Sequence, residues 1–220
     1  NTANEAGGAI SQGNNTNLLV VHSLFIDNSS NSDSWAGGVN SFAGMYGGST
    51  TIINSIFTGN TDNSGSSNSD INTSGYSMGI DHCVLQSESN AVFDYGDNYV
   101  LNEDYILNDP ENGDYSLMEA SPAIGLGLTE FYDNISEENV LLGEWLLVDY
   151  LGQSRIQPAG SNPDLGAIEN ELASSPYPDP PKNLVATSKH QSVGLSWSMP
   201  DSTDVIRYYV YMGTDSTSLL

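Results

Sequence analysis

A short unit recurs along the first third of the chain. Gly7-Gly8-Ala9-Ile10 is followed by Ser23-Leu24-Phe25-Ile26-Asp27-Asn28, and Gly37-Gly38-Val39 by Ser55-Ile56-Phe57-Thr58-Gly59-Asn60. The glycine pair returns after 30 residues and the Phe-x-x-Asn group after 32. Short apolar runs and turn residues repeating at such a period signal a stacked solenoid. Architectures of this kind more often display a surface than perform chemistry.

Three segments align on that period: Leu19 to Phe25, Thr51 to Phe57 and Gly79 to Leu85. They are short, rich in β-branched residues and bounded by Asn, Gly and Ser, so they read as strands. Turn residues interrupt any helical periodicity before two turns complete. Stacked strands lie about 4.8 Å apart in parallel ladders, which superimposes like residues in columns. Phe25, Phe57 and Leu85 form an apolar column, and Ser23, Ser55 and Cys83 a small-residue column of the same parity. Val20, Ile52 and Ile80 have the opposite parity, so the pattern leaves the inward face open. Asn28 and Asn60 follow the strands at a turn, where stacked amides bond one another and the neighbouring backbone. His22, Asn54 and His82 occupy equivalent positions and read as a polar column rather than a metal site, since no third ligand type recurs there. Cys83, the single cysteine, reads as a buried, inert thiol and excludes an internal disulfide framework.

Charge narrows the function classes. Four Lys and Arg face 28 Asp and Glu, for a formal charge of −24, and residues 1–170 hold one basic residue, Arg155, against 23 acidic ones. Nucleic-acid binding needs clustered cations, and anionic membrane surfaces are disfavoured for the same reason. No apolar run approaches the ~20 residues of a membrane span. The acidity fits solubility in a salty or calcium-rich exterior, or calcium held by clustered carboxylates.

Residues 31–34 and 61–70 read as loops between coils, and the repeat loosens from about Ala91. Leu141 to Val148 is an apolar stretch suited to covering the open end of the stack, whose strand edges need a cap. Residues 1–170 are thus expected to form the repeats and their C-terminal cap. Residues 171–181, with four prolines, form a stiff linker. Residues 182–220 start a second domain, with strands at Asn183–Ala186, Val193–Trp197 and Tyr208–Tyr211. The chain starts at Asn1, within a repeat, and is expected to be a fragment.

Three stretches carry family resemblances. The Gly-Gly-Ala-Ile and Phe-x-x-Asn units resemble the repeats of polymorphic outer-membrane proteins and related bacterial surface proteins, which implies a right-handed parallel β-helix; Gly37-Gly38-Val39 departs at its third residue. Asn112-Gly113-Asp114-Tyr115-Ser116-Leu117, Ser121-Pro122-Ala123-Ile124-Gly125, Leu151-Gly152-Gln153-Ser154-Arg155 and Asn162 to Glu169 resemble the C-terminal end of secreted bacterial β-helix proteins, including the choice-of-anchor group. That resemblance implies export and surface display, not a reaction; the usual Asp-Ala-Gly after Ser-Pro-Ala-Ile is here Gly-Leu-Gly. Pro180-Pro181, Leu195-Ser196-Trp197 and Tyr208 to Tyr211 resemble a fibronectin type III domain, of which about half is present. Trp197 is then a core residue. The expected fold class is all-β: a right-handed parallel β-helix with a truncated fibronectin type III sandwich.

β-Helices of this kind also host polysaccharide lyases and glycoside hydrolases. A lyase needs a base and a cation for the uronate carboxylate, and Arg155 is the only candidate before residue 171. A hydrolase needs two carboxylates across a cleft, and no paired-Asp motif recurs on the strands; Asp81 beside His82 comes nearest. No nucleophile-elbow, zincin, phosphate-loop or Cys-x-x-Cys motif occurs. The candidate calcium ligands are Asp94, Asp97, Asp104 and Asp109, with Glu103 and Asp114 in the same run, although the spacing matches no calcium loop. Tyr95, Tyr99, Tyr105 and Tyr115 alternate with them and suit either a strand surface or stacking on sugar rings. The expectation is a non-catalytic, monomeric piece of a secreted or cell-surface bacterial protein, needing no cofactor, with calcium optional. It would adhere to a host or cell-surface ligand or bind extracellular polysaccharide. The alternative is a lyase or hydrolase whose active site lies in coils upstream of Asn1.

Overall fold

The structure is a computed structural model that describes residues 1–4, 7–32, 36–41, 48–63, 70–73, 78–86, 93–94, 98–100, 106–133, 138–143, 147–174, 182–189 and 192–198. The protein is all-β, and no α-helix occurs among the described residues. The chain divides into two compact units, Asn1–Ser175 and Pro176–Leu220.

In the first unit each repeat contributes one strand to each of several parallel sheets. The strands are β1 (Thr2–Ala3), β2 (Ile10–Gln12), β3 (Asn17–Val21), β4 (Leu24–Ile26), β5 (Ser29–Ser30), β6 (Val39–Ser41), β7 (Ser49–Ile53), β8 (Ile56–Thr58), β9 (Ile71–Thr73), β10 (Met78–Asp81), β11 (Val84–Leu85), β12 (Phe93–Asp94) and β13 (Tyr99–Val100). They assemble in the orders β2-β6-β9, β3-β7-β10-β12 and β4-β8-β11-β13, with β1 pairing β5. Every pairing among them is parallel. Phe25 lies opposite Phe57, and Val20, Ile52 and Ile80 share one row. The two phenyl rings stack with centroids 4.5 Å apart and planes 5° from parallel, an arrangement worth about 1 kcal/mol beyond the burial itself.

The question of the inward face has a local answer. His22, Asn54 and His82 all sit at positive φ, 46°, 51° and 47°. Each turns the chain between a strand of the second sheet and a strand of the third, so the apparent single run is two strands. Side-chain alternation restarts after the turn, and both Val20/Ile52/Ile80 and Phe25/Phe57/Leu85 enter one core with Val39, Ile71, Met78 and Cys83.

The glycine register differs from the expected step of 30. β2 and β6 pair Ile10 with Val39, a step of 29, which sets Gly8 rather than Gly7 at the level of Gly37. Packing explains why glycine stands there. A Cβ on Gly37 would lie 2.3 Å from the Asn28 carbonyl oxygen and 2.4 Å from that of Thr61; one on Gly8 would lie 2.4 Å from the Gly37 oxygen. The step shortens to 14 between Gly79 and Phe93 and to 15 between Val84 and Tyr99, where the sequence pattern loosens.

The outward faces are not all solvated. Ile56 and Val84 pack with Ile106, Leu107, Leu117, Ala123, Ile124 and Leu165. Ile53 packs with Phe131 and Leu142. These C-terminal residues and their described neighbours therefore lie along the side of the stack. They carry two antiparallel pairs, β14 (Leu107–Asp109) with β15 (Asp114–Leu117) and β16 (Glu130–Asp133) with β17 (Glu138–Leu141). Of the cap expected at Leu141 to Val148, residues 144–146 lie outside the described residues. Only Leu142 of its described residues enters a core, against the side of β7, while Leu141, Leu147 and Val148 are exposed.

In the second unit β18 (Lys182–Lys189) and β19 (Ser192–Ser198) form an antiparallel hairpin. Its Leu184, Val185, Val193 and Leu195 are exposed. The strand expected at Tyr208–Tyr211 lies outside the described residues.

Gly37→Ala should lower the unfolding free energy by about 3 kcal/mol, since the added methyl meets only backbone, while Gly13→Ala, with open space around it, should change it by less than ~0.5 kcal/mol; chemical denaturation of both variants checks this. A hairpin whose described apolar side chains are exposed is marginal in water, so amides of β18 and β19 should exchange with little protection and those of β7 and β8 slowly. Equal protection in the two regions would contradict this account of the hairpin.

Candidate functional site

Polar side chains in the first unit gather along two lines. The first is the amide column. Asn28 Nδ2 donates to Asn60 Oδ1 at 3.0 Å, and the Asn28 backbone N–H donates to the same oxygen at 3.2 Å. Asn60 Nδ2 in turn donates to the Phe25 carbonyl and to Asp70 Oδ1, both at 3.0 Å. Asn1 Nδ2 extends the column by donating to Asn28 Oδ1 at 3.1 Å. The bonds between Asn28, Asn60, Phe25 and Asp70 are buried, where an unmet donor or acceptor costs about 1–3 kcal/mol, so the column fixes the turns after β4 and β8. The small-residue column lies beside it. The Ser23 N–H donates to Ser55 Oγ at 3.2 Å, and Cys83 is fully buried with its Sγ near the Asp81 and Ile52 carbonyls.

The second line is the row of turn residues His22, Asn54 and His82, of which the first two face the C-terminal segment. Asn54 holds Leu128 from both sides: its Oδ1 accepts from the Leu128 N–H at 2.9 Å and its Nδ2 donates to the Leu128 carbonyl at 2.8 Å. The Gly166 N–H donates to the Asn54 carbonyl at 2.8 Å. His22 Nε2 lies 3.1 Å from Asn54 Nδ2, and its Nδ1 lies 3.1 Å from the Asp164 carbonyl. His82 instead contacts the Asp81 carboxylate, Nδ1 to Oδ1 at 2.5 Å.

The terminal motifs are joined to one another at this junction. Asp164 accepts from the Gly125 N–H at 2.7 Å and the Asn170 N–H at 2.6 Å, tying Asn162–Glu169 to Ser121–Gly125. The Leu165 N–H donates to the Ala123 carbonyl, and Leu165 is fully buried against the stack. Gly166 has φ +86°, and a Cβ there would lie 2.7 Å from Ile56 Cδ1, so the segment approaches β8 as closely as a bare backbone can. Arg155 donates to the Gly166 and Ala167 carbonyls at 3.0 and 3.1 Å and lies 3.8 Å from Glu169 Oε2. Asp149 closes the turn before it, accepting from the Leu151 and Gln153 N–H groups, and accepts from the Glu169 N–H as well. Asp149 and Asp164 were not among the sequence candidates. The available signal was Asp149-Tyr150-Leu151-Gly152, an Asp-to-Gly turn spacing.

Burial sets the electrostatics of this knot. It raises Glu169 to about 8, helped by the neighbouring Asp164 carboxylate, and raises Asp164 to about 6 against the pull of its two backbone donors. Burial and the Arg155 charge lower His22 to about 3. Burial also lowers Arg155, opposed by Glu169, Asp149 and Asp164. The arrangement holds backbone segments together; each carboxylate oxygen given a partner here is bonded to a main-chain N–H.

The calcium candidates are described only in part. Asp97 and Asp104 lie outside the described residues, as does Glu103. The backbone of Asp94 pairs with Ile80 in β12. Both oxygens of Asp109 accept from Asn112 Nδ2, at 3.0 and 2.9 Å, within a local turn, and Asp114 accepts from Ser116. Among the described residues no three His, Cys, Asp or Glu side chains are grouped to hold a metal ion. Tyr95 and Tyr105 lie outside the described residues; Tyr115 is part-exposed on β15.

The sign of one pH effect follows directly. Glu169 titrates near 4.5 unfolded and about 8 folded, so its contribution is complete below pH 4.5 and is lost as pH rises towards 8. Glu169→Gln keeps an acceptor for the Asp164 N–H and removes that loss. The stability of the variant relative to wild type should therefore rise steadily from pH 4.5 to 8 in denaturant titrations; a constant difference would refute the assignment.

No family model, curated protein or solved structure matches this chain. Function must therefore come from the residues and their geometry.

Proposed function

We propose that the first unit is part of a right-handed parallel β-helix from a secreted or cell-surface bacterial protein, and that it serves adhesion or the binding of extracellular polysaccharide without catalysing a reaction. The second unit begins a fibronectin type III spacer that carries the β-helix away from its anchor, and the protein acts as a monomer. Parallel sheets that take one strand from each repeat support the architecture, together with Phe25 over Phe57 and Asn28 over Asn60.

One observation carries the non-catalytic reading. Arg155, the single basic residue of 1–170, is 4% exposed and bonded to two backbone carbonyls. A side chain so placed can neither take a proton from a uronate nor neutralise its carboxylate. The remaining acidic surface favours neutral glycans, or polyuronates bridged by calcium.

Incubation with pectin, alginate and chondroitin in the presence of calcium should yield no unsaturated, ultraviolet-absorbing product. Affinity electrophoresis in gels containing neutral polysaccharide, or polyuronate with and without calcium, should retard the protein. Unsaturated products would establish the lyase alternative, and unaltered mobility in every gel would remove polysaccharide as the ligand class.

A further inference from the structure

The junction at His22 is built for one protonation state. The Leu128 N–H requires an oxygen, so Asn54 must present Oδ1 to it and Nδ2 to the Leu128 carbonyl. That orientation points the second amide hydrogen at His22 Nε2, 3.1 Å away, which must then be the lone-pair nitrogen. On the other side Nδ1 faces a carbonyl, that of Asp164, and must carry the hydrogen. Two backbone groups thus specify the neutral Nδ1–H ring.

A second proton has nowhere to go. On Nε2 it would confront the Asn54 N–H, and turning that amide over would break both bonds to Leu128. The ring is 6% exposed, so water does not relieve the contact. Among the described residues no carboxylate is directed at the ring. Arg155 adds positive charge on the segment side. The Asp164 carboxylate is directed at Gly125 and Asn170, Asp149 at Leu151, Gln153 and Glu169, and Glu169 at the Asp164 N–H. In the same repeat Asp27 lies beside Gly59. His82, one position beyond Asn54 in the row, has the Asp81 carboxylate at 2.5 Å and is partly exposed. His22 shares its backbone conformation without that partner.

We propose that His22 is a proton-sensitive latch: the C-terminal segment stays seated on the repeat stack while the His22 ring is neutral, and a proton on Nε2 unseats it. Unseating breaks the bonds from Leu128, Asp164 and Gly166 to the turn row and uncovers Ile56 and Val84. Arg155, Asp149, Asp164 and Glu169 are bonded to one another and to backbone within the segment, so they leave with it. Any exposure of Asp164 and Glu169 on opening would oppose the His22 effect on acidification. A comparison between variants cancels that background.

The test is hydrogen exchange at the Leu128 and Gly166 amides of the intact chain, wild type against His22→Asn, which places at 22 the side chain found at 54. With a ring that titrates at 6.5 when free and near 3 when seated, the opening constant of wild type relative to the variant should rise roughly 25-fold from pH 7 to pH 5. A ratio that stays constant overturns the latch. Should the variant not fold, the His22 ring resonances of wild type decide. Protonation confined to molecules whose Leu128 and Gly166 amides have opened supports the proposal, and an ordinary titration with both amides still protected overturns it.

Discussion

A single left-handed residue after β3, β7 and β10 governs this architecture. His22, Asn54 and His82 adopt it in three successive repeats. For residues other than glycine, asparagine and a few polar types this conformation is costly. Parallel pairing on both sides of the turn holds it in place. Because the turn restarts the side-chain alternation, one run of seven residues sends Val20 and Phe25, or Ile52 and Phe57, into the same interior. It also turns the polar side chains at 22 and 54 away from that interior, towards the C-terminal segment.

The stack has two apolar sides for the same reason. Strand alternation that buries Phe57 inside necessarily presents Ile56 outside, and Val84 follows in the next repeat. Both are buried because the segment after residue 106 lies over them. The terminal motifs thus complete a core. Their own charged residues, Arg155, Asp149, Asp164 and Glu169, satisfy backbone groups in a segment where regular strands are short and ladder bonds few. A buried cluster of this kind is weak evidence for added stability; what it supplies is a defined path for the chain across β8.

Some of this was legible from residue letters alone. The Phe and Asn columns were, since a ladder forces like positions to stack and the step of 32 recurs unchanged at Phe25/Phe57 and Asn28/Asn60. The glycine step differs by one residue because Gly7-Gly8 and Gly37-Gly38 look alike and backbone hems in all four, so only the pairing of Ile10 with Val39 sets the register. At 141–148 hydrophobicity did not name the surface that Leu142 meets, the side of β7. Of the calcium candidates, Asp109 is engaged by Asn112 three residues on, a contact within reach of sequence reasoning but outweighed there by the density of acids.

The sequence by itself determined an all-β chain with a period near 30, a stacked Phe and Asn order and a change of character near residue 175. These are properties of local pattern and of pairing between neighbours one repeat apart. Tertiary structure alone decided that His22 meets Asp164 across 142 residues and that Asn54 meets Leu128 across 74. It also decided that Glu169 is held out of water. Such contacts depend on where a non-repeating segment settles, and no periodicity encodes the partner of a residue that occurs once.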